Sequence, residues 1–178
     1  MAVIELGNVI GPAVGCIVPN AGAPSAGTSE VWTLTIGGTP TAGTFRIIFG
    51  GETSGAITWS ATNGTLLSNI NTALDAMNVF GAGDLVASDS TLTAGIGDLL
   101  LTFSANRAKE AIDSAITVSS ALTGTSPTLA VAETTPGVTA TARGLGKGVI
   151  VSDTTNGKAY INTGTALVPV WTVVGAQS

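Results

Sequence analysis

The 178-residue chain contains no histidine, one cysteine and few charged side chains, six Lys or Arg against eleven Asp or Glu. Each shortage excludes a class of chemistry. Without histidine and with Cys16 alone, neither a Ser-His-Asp nor a Cys-His nucleophile can be assembled, and no His/Cys zinc site can form within one chain. An intrachain disulfide is impossible for the same reason. No two carboxylates stand in a setting that suggests a matched general acid and base. The sequence is therefore read as non-enzymatic, with no catalytic residue, cofactor or metal site expected. A net charge of −5 and scattered cations leave no source for the phosphate neutralisation behind nucleic-acid affinity. Neither a nucleic-acid nor a membrane partner is expected, since apolar runs broken by Gly, Thr or Asp fall well short of the ~20 residues of a membrane helix. The opening MAVIELGNVIGPAVGC has no cationic leader and holds Glu5 inside its apolar stretch, which argues against a secretory signal. Synthesis in a reducing cytoplasm fits these features.

What remains is small and β-branched. Hydrophobic residues make up 44% of the chain and 24 residues are glycine, while aromatics supply only 4%. The length suits one domain of ordinary size with appendages. Residues 1–30 read as an extended N-terminal arm, because Pro12, Pro19 and Pro24 cannot donate to a ladder and the apolar Val3, Ile4, Leu6, Val9 and Ile10 show no clean period. The segment is too apolar for a typical solvated tail, which favours an arm that docks on another chain.

From Glu30 the pattern becomes regular. Trp32, Leu34 and Ile36 alternate with Val31, Thr33 and Thr35, and Phe45, Ile47 and Phe49 repeat the period of two, so residues 31–36 and 44–49 are predicted strands. The intervening Gly37–Gly43 reads as a loop, making the pair a hairpin. Further strands are expected at 56–60, 84–88, 98–104, 115–119 and 128–132. Between the first and second of these, Leu66, Leu67, Ile70, Ala73, Leu74 and Met77 recur at helical spacing, which predicts one amphipathic helix over about 64–78. Thr62 or Asn63 is its expected N-cap and Gly81 the left-handed residue beyond its end. The charged stretch 105–110 reads as a surface loop.

Residues 136–178 read as a linker and a small C-terminal hairpin module, with Thr154–Gly157 as a tight turn between residues 149–153 and 158–162, and a third strand at 168–174. The expected fold is mainly β (α+β): a β-sandwich-like domain at 31–135 with one helix, an extended arm before it and the β-module after it.

Motifs that suggest chemistry dissolve on inspection. Gly144–Gly148 lacks the upstream Gly and the Ser or Thr after Lys147 that a phosphate loop requires. Asp153–Gly157 lacks the spacing and closing Glu of a calcium loop. Trp32, in phase with Leu34 and Ile36, reads as core. Trp171 sits in a unit too small to build much core, so it either packs within that unit or touches a neighbouring subunit. Tyr160 and Trp171 are the candidate inter-subunit residues.

The stretch Glu30–Val86 resembles a domain that recurs in virion proteins of tailed bacteriophages. The carrying motifs are Glu30–Ile36, Gly43–Phe49, the helix Gly64–Met77 and the turn Gly81-Ala82-Gly83, in that order. The likeness extends over roughly 30–135. The opening Ile4–Pro12 is similar to the N-termini of phage head-fibre and tail-associated proteins, without the collagen-like run that often follows there, and Gly148–Gly175 looks like a β-module at the ends of phage structural proteins. The resemblance implies a capsid decoration (cement) or head-fibre protein. Made in the bacterial host cytoplasm, it would bind the outer surface of the virion's capsid. Its implied partners are the major capsid protein and itself, a homotrimer being favoured. Ile4, Leu6, Val9, Ile10 and Pro12 are the candidate capsid-binding residues. A tail component, either a tube subunit or a fibre adaptor, and a receptor- or glycan-binding adhesin using Trp59 are the alternatives.

Overall fold

The structure, a computed structural model, describes residues 17–175. In chain order its elements are β1 (Ile17–Asn20), β2 (Val31–Phe49), β3 (Glu52–Thr53), β4 (Ile57–Thr58), α1 (Asn63–Asp75), β5 (Leu85–Asp89), β6 (Gly97–Phe103), β7 (Thr117–Thr135), β8 (Ile150–Asp153), β9 (Lys158–Asn162) and β10 (Trp171–Val173). They fall into two compact units. One is Gly27–Val138, and the other joins the segments that flank it. The expected β-rich domain with a single helix is what the structure contains.

The Gly27–Val138 unit is organised by its two longest strands. Val31–Ile36 of β2 pairs with β6 along one edge, Thr44–Phe49 pairs with β4 and β3 along that same side, and β7 runs antiparallel along the whole opposite side. The predicted hairpin at 31–49 is thus corrected to one continuous 19-residue strand. The predicted strands at 115–119 and 128–132 likewise merge, into β7. The physical reason lies in Gly37–Gly43. Its glycines and proline read as turn chemistry, but they serve a bend. Register slips between Gly37 and Thr39 and again between Pro40 and Ala42, and the second slip undoes the first. The inward face therefore switches from Trp32, Leu34 and Ile36 to Phe45, Ile47 and Phe49 while the partner strand stays in step.

That switch lets one strand furnish core from both of its halves. Trp32, Leu34, Ile36, Phe45, Ile47 and Phe49 join Leu99, Leu101 and Phe103 of β6 in a single buried cluster. Phe49 stacks on Phe80 with ring centroids 4.9 Å apart and lies 5.5 Å from Phe103. Helix α1 adds Leu66, Ile70 and Leu74, with Met77 buried just past its end, each side chain contributing ~1.5–3 kcal/mol. Its start differs from the expected cap: Thr62 occupies the N-cap position without a side-chain bond. The Asn63 side chain is engaged elsewhere, accepting from the Gly95 amide and donating to the Leu92 carbonyl. Nor is Gly81 left-handed; its amide donates to the Asp84 carboxylate, and Gly83 has the positive φ.

At the bend the two backbones approach too closely for a side chain. A Cβ on Gly124, at φ +141°, would collide with the Thr39 carbonyl oxygen, whereas one on Gly51, at φ +83°, would meet open space. Gly51→Ala should cost only the ~1–2 kcal/mol of a left-handed residue. Gly124→Ala should cost well over that, since backbone must also move. Urea midpoints of the two variants check the difference, and equal shifts would remove the bend from the account of the fold.

Candidate functional site

Five of the candidate partner-binding residues, Ile4, Leu6, Val9, Ile10 and Pro12, lie outside the described residues. The other two, Tyr160 and Trp171, belong to the flanking unit, whose sheet has the strand order β1, β8, β9, β10. Within the segment read as an arm, Ile17–Asn20 runs parallel to Ile150–Asp153 as an integral strand of this sheet. Trp171 pairs with Asn162 and Val173 with Tyr160, so the alternation of side chains places Trp171 and Tyr160 on one face. Both are half-buried. The Trp171 indole is anchored, donating 3.1 Å to the Ser25 carbonyl.

The segment that carries Trp171 is apolar and open. Val168, Val170, Val173 and Val174 are all exposed, Val170 at 52%. What holds it is Asn162, fully buried at the end of β9. Its amide group donates to the carbonyls of Leu145, Gly146 and Thr165, and its oxygen accepts from the amides of Gly164 and Val170. One side chain thus ties the segment before β8 to the β9–β10 connection. No local signal in the sequence marks it, because its partners span residues 145–170. Asn162→Ala should strand several of these buried groups at ~1–3 kcal/mol each. A loss of at least ~2 kcal/mol in chemical denaturation is expected, together with solvent exposure of the Trp171 indole in fluorescence; an unchanged midpoint would refute the role.

The turn between β8 and β9 is built on a second buried group. Asp153 accepts from the amides of Thr155 and Asn156 at 2.9 and 3.0 Å and from the Asn156 side chain at 2.8 Å. The connection spans Thr154–Gly157, where the hairpin turn was expected, with Asp153 capping it and positive φ on Gly157 but not on Asn156. The Asn156 side-chain bond, followed by the backbone amides, holds the Asp153 carboxyl below its ordinary range. Glu52 is lowered in the same direction, first by the Asn78 amide and then by Val79 and the Asn78 side chain. Both groups bind protons more weakly when folded, so their contribution is present above the ordinary carboxylate range and fades as pH falls through the lowered values. Carboxyl-carbon NMR titrations should place both midpoints below the usual ~3.9 for Asp and ~4.3 for Glu. Midpoints at or above those figures would contradict the geometry.

In the Gly27–Val138 unit, Trp32 is core, as expected, and donates 2.6 Å to buried Glu30. Trp59, the candidate for glycan contact, is half-buried against the core and donates to the Gly95 carbonyl. A groove beside Phe49 and Val79 is lined by Ile112 with Arg107, Glu110 and Asp113. Among the described residues no three His, Cys, Asp or Glu side chains form a group that could hold a metal, and no helix is long and apolar enough to cross a membrane.

No protein-family model matches the chain, and no curated protein matches it. A solved structure from Mycobacterium phage Patience aligns over 85% of this chain at 15% identity with a TM-score of 0.41, and the chain spans 52% of that structure's length. A likeness at that identity and score assigns neither fold nor role.

Proposed function

We propose that the chain is a non-enzymatic structural protein of a tailed-bacteriophage virion, and that it decorates the capsid exterior. The observation that carries this reading is the ordered run of motifs from Glu30 to Gly83, whose apolar members are the side chains that build the core of the Gly27–Val138 unit. A resemblance residing in core-forming positions concerns the architecture and not a surface accident. The partners are the major capsid protein and further copies of the same chain. The N-terminal residues Ile4 to Pro12 supply the capsid contact, and the open valine segment with Trp171 and Tyr160 supplies contact between neighbouring copies only once they are arrayed on the capsid lattice. Many copies on one lattice gain avidity only where the copies are linked, which gives self-association a purpose.

Electron microscopy of virions carrying a tagged copy of this chain tests the placement. Label distributed over the head is the expected result; label confined to the tail would favour a tube or fibre-adaptor role, and binding to host cells by the isolated chain would favour an adhesin. A chain lacking residues 2–14, which keeps β1 whole, should remain folded and lose co-sedimentation with capsids by at least tenfold. Undiminished binding would dismiss the N-terminal contact.

A further inference from the structure

The Gly27–Val138 sheet treats its edges unequally. On β5, the Asn71 side chain of α1 accepts from the Ala87 amide at 2.8 Å and donates to the Ala87 carbonyl at 3.1 Å, filling the place of a further strand. β3 and β4 are two residues each, too short to template pairing. β7 is different. Among the described residues it pairs only with β2, and it runs for 19 residues and carries one charge, Glu133.

The pairing pattern reveals which backbone groups of β7 face outward. The Glu30 carbonyl accepts from Phe103, so Trp32, Leu34 and Ile36 turn their backbone groups to β6, and their β7 partners Glu133, Val131 and Leu129 turn theirs away from β2. In the other half, the carbonyls of Gly43 and Ile47 accept from Trp59 and Ser54 on the far side, so their partners Leu122 and Val118, with Ser120 between them, also face outward. The Leu122 amide, accordingly, is bonded only to the hydroxyl of Ser120 in its own strand. Two runs of three outward residues result, separated by the bend at Gly124–Pro127. Pro127 lies in the bend, where its missing N–H removes a donor from neither run.

These two runs fit each other. We infer that β7 is the interface for a second copy of this chain, joined edge to edge and antiparallel about a two-fold axis at the bend, with Val118 opposite Glu133, Ser120 opposite Val131 and Leu122 opposite Leu129 of the second copy. In that register every outward residue of one run meets an outward residue of the other, over the full strand. The axis is normal to the sheet, so both core faces lie on the same side and both bends curve the same way. The half-buried Leu129, Val131 and Val118 then gain neighbours from the other copy. The two Glu133 side chains fall at opposite ends, tens of ångströms apart and beyond the ~8–10 Å screening length. A self-pairing strand this neutral meets no like-charge repulsion, and a two-fold contact uses up the edge it employs. The resulting assembly is a dimer, in place of the trimer that the sequence resemblance implies. The inference rests on strand pairing alone and stands whether or not the chain decorates a capsid.

Light scattering on the purified chain should give twice the 17.5 kDa chain mass. The Ser120→Lys and Val131→Lys double variant sets lysine against lysine across the interface and should halve that mass. The Ser120→Glu and Val131→Lys double variant sets opposite charges there and should restore it, with circular dichroism of both matching the wild type. A measurement free of substitutions accompanies these. The amides of Val118, Ser120, Leu129, Val131 and Glu133 should be protected from hydrogen exchange in the concentrated chain and lose that protection on dilution. A monomeric or trimeric wild type, a lysine pair that leaves the dimer intact, two double variants that behave alike, or protection independent of concentration would each overturn the inference.

Discussion

The unit Gly27–Val138 depends on the pairing of β2 with β7, because β2 is used twice and β7 is the strand that spans both uses. One half of β2 is locked on its far side by β6, the other by the short β4 and β3. Neither neighbour reaches across the bend. β7 does, and its two offsetting slips allow the chain to turn a new face inward without losing a partner. Every such contact joins residues some seventy to a hundred positions apart, so the pairing carries a large loop-closure cost and belongs among the slow-forming kinds of topology. The core must offset that cost. It does so through few but large side chains, with Phe45 and Phe103 among the fully buried ones and three phenylalanine rings in mutual contact.

With so few charges, the chain spends its polar side chains as substitutes for backbone. Asn71 imitates a neighbouring strand, Asn162 imitates several, Asp153 gathers the amides of a turn, and Glu52 receives those that follow α1. Glu30, buried beside Trp32, accepts from that indole and from the Ile112 amide. Among the described residues no buried side-chain nitrogen or oxygen is left without a partner. That completeness matters more here than in a charged protein. A lost amide–carbonyl pair leaves a buried group at ~1–3 kcal/mol, a sizeable part of the ~5–15 kcal/mol typical of a whole domain.

What the sequence disclosed follows the range of the signals. Alternation at Trp32–Ile36, Phe45–Phe49 and Leu99–Phe103, and the helical spacing from Leu66 to Met77, are local patterns, and they yield strands and helix where they stand. Gly37–Gly43 misled because turns and bulges draw on the same residues, glycine for positive φ and proline for a missing donor; only the partner strand distinguishes them, and that partner lies eighty to ninety residues away. The roles of Asn71, Asn162 and Glu30 were illegible for the same reason, since a side-chain amide or carboxylate declares its function only once its distant partners are placed. Thr62 and Asn63 show the converse failure. A good local capping signal was overruled when Asn63 was drawn to Gly95 and Leu92. Of the surface residues, Tyr160 and Trp171 could be read as a pair by their chemistry but not by their shared face, which depends on the β9–β10 register.

The scarcity of charge and the open edge of β7 are connected. Proteins usually guard a long edge with lysine, an inward charge or a covering element. On β5 this chain uses Asn71, and on β7 it uses hydroxyls, with Thr, Ser and Ala filling most of the outer face. Hydroxyls keep a strand soluble while leaving its ladder groups free to pair, because they neither repel a like strand nor block its approach. A lysine-guarded edge would be soluble and solitary; a valine-rich one would associate without selectivity. A neutral hydroxyl-rich strand, bent at its middle and with its only charge at one end, permits association in a narrow set of registers, since a slip moves outward residues out of step across the bend. A composition so poor in charge therefore fits a surface whose work is done by backbone, where the pattern of donors and acceptors along one strand decides what can dock.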